Sequence, residues 1–146
     1  MRALTWVTII SSVILSLPMT LWALGISFSL MTAIHVFAFV LTARLFFLAS
    51  SIARSRHDMI WVGGFAGLIG SLVSQLWIHV PLARASLSAA FDPYGPLGSA
   101  LYRLDIFSPW WPFVVVLWSG LFYATLSWSM HRLLQWRRRS RVFSTL

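Results

Sequence analysis

The chain has 146 residues, 59% of them hydrophobic and 10% charged, with mean hydropathy +0.82. Soluble domains carry about 25% charged and about 45–50% apolar residues. This composition therefore excludes a soluble globular domain, a disordered tail and a collagenous fibre, and it points to a polytopic integral membrane protein. The net charge is +8, from eleven Arg against three Asp, with no Lys and no Glu. Cys is absent, which excludes disulfides, thiol nucleophiles and Cys-held metals.

A bilayer core of about 30 Å needs about 20 mostly apolar residues per helix. Four segments qualify: Leu4 to Leu24, Phe28 to Ser50, Met59 to Val80 and Trp110 to Met130. The expected fold is therefore all-α, a four-transmembrane-helix bundle forming one domain over residues 1–146. The first segment follows a single basic residue, Arg2. Its apolar stretch exceeds the 7–15 residues of a signal-peptide core, so it reads as an uncleaved helix. Pro18 marks a kink rather than an end, because neighbouring helices re-satisfy a carbonyl freed by proline in a membrane. The turn to the second span falls near Gly25 to Ser29.

The second span carries His35, about a third of the way in from one end, and Arg44, about two turns from the other. The arginine can snorkel to the headgroups or hold an anion: a lipid phosphate, a haem propionate or a partner's carboxylate. The third span carries Gly63, Gly67, Gly70 and Ser71. Gly63 and Gly67 form a GxxxG pair, with Ser71 at the next step of four, a spacing that lets another helix approach closely. Gln75, one turn on, suits a hydrogen bond between helices.

Residues 81–109 form the longest connection, with turn-forming residues from Asp92 to Gly98. The flanking stretches, Leu82 to Phe91 and Ser99 to Phe107, are each long enough for a short helix, so this outer loop is expected to contain one or two. A structureless loop of that length is uncommon and suggests a cap or docking element. The fourth span leads into a basic tail over 131–146, with Arg137, Arg138, Arg139 and Arg141 placed to meet anionic lipid headgroups. No nucleic-acid-binding module accompanies that charge.

With both termini cytoplasmic, eight arginines fall in inner segments and only Arg84 and Arg103 in the outer loop, where Asp92 and Asp105 offset them. The positive-inside rule favours that topology. The aromatic belts agree, with Trp6, Trp61 and Trp136 inside and Trp22, Trp77, Trp110 and Trp111 outside. The expected location is a bacterial inner membrane.

Asp58, Asp92 and Asp105 all lie outside the spans, so ion-coupled transport, which uses intramembrane carboxylates, is disfavoured. In length and span number the chain is similar to small multidrug transporters, but it lacks the membrane-embedded Glu on which they rely. Ser11, Ser12, Ser16, Ser119 and Ser127 offer hydroxyls without an adjacent base. The leading expectation is thus a non-catalytic accessory or assembly subunit working with other membrane subunits, with no assigned cofactor. A second reading is a b-type haem subunit working with quinone, in which His35 and His79 on facing helices are axial ligands and His57 and His131 form an inner pair. A third is an uncoupled lipid or small-molecule carrier.

Overall fold

An apolar segment in a bilayer must satisfy its backbone internally, and a helix does so within one segment. The protein, seen here as a computed structural model, is described over residues 2–24, 28–78 and 110–143. These residues form α1 (Arg2–Ala23), α2 (Phe28–Ile52), α3 (Arg56–Ile78) and α4 (Trp111–Phe143). Each is, by length and composition, long and apolar enough to cross a membrane. The expected outer-loop helices, between 81 and 109, lie outside the described residues.

Several hydroxyl-bearing residues enter these apolar helices by bonding to their own backbone. On α1, Thr8 Oγ1 donates to Leu4 O at 3.0 Å, Ser12 Oγ to Thr8 O at 2.8 Å and Thr20 Oγ1 to Ser16 O at 3.0 Å. Ser50 Oγ does the same to Phe46 O at 2.7 Å on α2, and Ser74 Oγ to Gly70 O at 2.8 Å on α3. A hydroxyl closed on its own helix leaves no unmet donor toward lipid.

Two helix limits differ from the expectation for identifiable reasons. α3 begins at Arg56 rather than Met59 because Ser55 and Asp58 cap it. Asp58 Oδ2 accepts from Ser55 N at 3.0 Å and from Arg54 N at 3.1 Å, and Ser55 Oγ accepts from Asp58 N at 3.2 Å. This reciprocal arrangement is a capping box with Asp at its third helical position. α4 runs 33 residues, past Met130 into the basic tail. Between Leu121 and Phe143 there is neither Gly nor Pro to stop it. At 1.5 Å per residue its length approaches 50 Å, well beyond a hydrocarbon core of about 30 Å.

The helices form a ring in the order α1, α2, α4, α3. α3 packs chiefly on α4 and α1, α2 packs on α1 and α4, and α2 and α3 touch only slightly across one diagonal although only three residues join them. Short connections usually make neighbours. Here the small residues of α3 lie against α4 and α1 and draw it to those helices instead. A core of Phe46, Ala49, Met59, Val62 and Ala66 lies where α2 hands over to α3, with Leu4, Val7, Tyr123 and Leu126 packed around it. Tyr123 meets the fully buried Phe46 edge-on, with ring centroids 6.4 Å apart.

Candidate functional site

Among the described glycines, the closest helix approach lies in the seam between α3 and α4. A Cβ built on Gly63 would strike Tyr123 O and Ser127 Oγ, and one on Gly67 would lie 2.5 Å from Ser119 O. The pairing falls from residue 127 to 119 on α4 as α3 rises from 63 to 67, so the two helices are antiparallel. Ser127 uses the space left by Gly63: its Oγ donates to Met59 O at 2.6 Å, joining the helices in the buried interior. Gly70 faces α1 instead, where a Cβ would lie 2.9 Å from Leu15 Cβ and 3.1 Å from Ser12 O. α3 therefore uses two small-residue faces, one for each neighbour. Ser71 is half-buried one step of four beyond Gly67.

Gly64 belongs to neither tight contact, whereas a Cβ on Gly120 would lie 2.8 Å from the Leu68 side chain of α3. A Cβ on Gly64 would meet Ala124 Cβ at 3.7 Å, an ordinary distance. Together with Ala124 they floor an outward-opening apolar groove of about 210 Å³, walled by Trp61, Phe65 and Leu121. Trp61 and Phe65 stack with centroids 5.2 Å apart.

The polar candidates are dispersed. Arg44 is exposed on α2, sharing its outward face with Phe37, Val40, Phe47 and Ser51, while Ala38, Thr42, Phe46 and Ala49 face the bundle. It lies eight residues from the end of α2 at Ile52, about 12 Å along the axis. His35 is exposed on α2 and His57 is exposed at the start of α3. His79 lies outside the described residues, and α2 and α3 stand across the diagonal of the ring rather than face to face. Among the described residues no group of three or more His, Cys, Asp or Glu side chains is gathered for a metal.

His131, read from the sequence as a boundary residue, is buried because α4 continues past it. Its Nε2 lies 2.8 Å from the Gln135 side-chain nitrogen, and its Nδ1 is buried with no partner among the described residues. Gln75 Oε1, Ser11 Oγ and Thr42 Oγ1 are buried and likewise unpartnered there. In the basic tail, Arg137 and Arg138 are exposed on the last turns of α4, and the side chains of Arg139 and Arg141 lie outside the description. Arg132 covers the Trp128 ring, 5.5 Å from its centroid.

Over the described residues these features define an all-α bundle of four membrane-length helices with close glycine contacts between helices. No family model matches the chain, and no curated protein or solved structure shows significant similarity to it.

Proposed function

We propose that the protein is a non-catalytic integral membrane subunit, an accessory or assembly element of a larger membrane complex. Its termini lie in the cytoplasm and its membrane is of the bacterial inner type. The observation that carries this reading is Arg44. The side chain stands on the outward face of α2 at membrane depth, among Phe37, Val40 and Phe47. An arginine facing lipid at such depth is costly, whereas one facing a protein neighbour can pair with a carboxylate or a carbonyl. Within the bundle α2 packs chiefly on α1 and α4, and its outer face is available to a second polypeptide. Orientation rests on the arginines: Arg2, Arg54, Arg56, Arg132, Arg137 and Arg138 all flank the same ends of the helices, as the positive-inside rule requires of a cytoplasmic side.

Native electrophoresis of gently solubilised membranes tests the subunit role. The wild-type chain should migrate in an assembly far larger than its own 16.5 kDa. Arg44→Leu should leave membrane insertion intact, since Leu suits lipid better than Arg, yet release the chain from the assembly. Arg44→Lys should retain part of it. An assembly of unchanged size with Arg44→Leu, or a wild-type chain that migrates alone, would refute the proposal.

A further inference from the structure

We infer that the outward groove between α3 and α4 is a binding site for one anionic phospholipid of the leaflet at the arginine-rich end of the bundle. The inference rests on the chain spanning a bilayer and not on its role as a subunit. The groove itself is apolar, floored by Gly64, Gly120 and Ala124 and walled by Trp61, Phe65 and Leu121. It runs from Ile60 to Leu68 on α3, eight residues or about 12 Å, which is close to the depth of one leaflet. An apolar groove of that length accepts part of an acyl chain.

Charge decides what sits at its mouth. On α3, Arg56, Ile60, Gly64 and Leu68 follow one another at steps of four and share a stripe; on α4, Gly120, Ala124, Trp128 and Arg132 do the same. The groove floor thus leads at one end to an arginine on each helix. The two arginines also stand at similar heights. Ser127 Oγ is bonded to Met59 O, and five further residues along the antiparallel α4 bring Arg132 level with the start of α3. Both are exposed. Arg132 is held over Trp128, which stiffens it at the groove mouth. Asp58 is the one carboxylate among the described residues, and it is turned back on the chain, accepting from Arg54 N and Ser55 N. An apolar channel one leaflet deep with two guanidinium groups at its entrance complements a phosphate diester carrying acyl chains. This site is separate from the tail arginines Arg137 and Arg138, which lie farther along α4.

The test uses the full chain in nanodiscs containing equal phosphatidylglycerol and phosphatidylcholine, released into native mass spectrometry so that retained lipids are counted. The wild-type chain should retain one phosphatidylglycerol in preference to phosphatidylcholine by roughly tenfold or more, as two interfacial arginines imply. The double variant Arg56→Gln/Arg132→Gln should reduce that ratio to about one. Gly64→Leu, whose side chain would occupy the channel, should lower retention of both lipids. A wild-type ratio near one, or a preference that survives the double variant, would overturn the inference. So would a Gly64→Leu protein that keeps its lipid but loses a second copy or a bound polypeptide, because the occupant would then be a helix.

Discussion

Gly64 and Gly67 lie three residues apart on the same helix, and the structure assigns opposite consequences to adding one methyl group at each. At Gly67 a Cβ would lie 2.5 Å from Ser119 O, 2.9 Å from Ser119 C and 2.9 Å from Tyr123 Cδ2. The first two atoms are backbone, so no rotamer change relieves the clash and α3 must move away from α4 by close to an ångström. Overpacking of this kind costs about 1–3 kcal/mol. At Gly64 the nearest atom is Ala124 Cβ at 3.7 Å, ordinary van der Waals contact. Gly64→Ala therefore adds no strain and gains up to about 1 kcal/mol of helix propensity. The propensity gain is common to both positions, so the two alanine variants should differ by the overpacking cost alone, about 1–3 kcal/mol. Reversible unfolding in mixed micelles, followed by tryptophan fluorescence, reads the difference directly. Gly67→Ala should unfold well before the wild type, and Gly64→Ala with it or after it. Equal midpoints for the two variants would refute the close approach of α3 and α4 at Ser119.

Ser127→Ala removes the hydroxyl that joins α4 to Met59 O and should cost about 0.6–1.7 kcal/mol in the same unfolding assay. Thr125→Ala, whose exposed hydroxyl bonds only Leu121 O on its own helix, should have no measurable effect. A Thr125 variant as unstable as the Ser127 variant would contradict that distinction. Ser55→Ala dismantles half of the capping box and should lower stability by about 1 kcal/mol, with faster amide exchange confined to the first turn of α3. Exchange that accelerates equally along all four helices would show that the cap acts on something other than the helix start.

The four membrane-length helices of the described residues were legible because membrane length and hydropathy are local properties of the chain. The small-residue spacing of α3 was legible as a place of close approach, but spacing carries no information about the neighbour. Gly63 and Gly67 lie against α4, whereas Gly70 serves a different face toward α1. The diagonal placement of α2 and α3 was not legible, since it emerges from how three helices share the small faces of one. Two features had signals that went unread. Ser55-Arg56-His57-Asp58, placed directly before an apolar run, is a capping sequence rather than a merely polar connection. The stretch from Leu121 to Phe143 lacks any helix breaker, which is why α4 continues past Met130 and buries His131. The hydroxyls of α1 pointed to no chemistry in the sequence, and the bonds of Thr8, Ser12 and Thr20 to carbonyls one turn back give those three a structural role.

The ring order also determines whether the two proposed surfaces compete. α2 stands across the diagonal from α3, so the outward face bearing Arg44 and the groove floored by Gly64 open on different sides of the bundle. A polypeptide docked on α2 would leave the groove accessible, and a lipid in the groove would leave Arg44 uncovered. The two sets of variants should then act independently, as separated sites without shared partners do. Arg44→Leu should release the chain from its assembly while its preference for phosphatidylglycerol persists. Arg56→Gln/Arg132→Gln should abolish that preference while the assembly survives. If either change moved both measurements, the surfaces would have to be coupled through α4, the helix that borders both. The most direct route for that coupling is the core contact between Phe46 and Tyr123. Phe46→Leu would then weaken the link between the two readouts more than it alters either one.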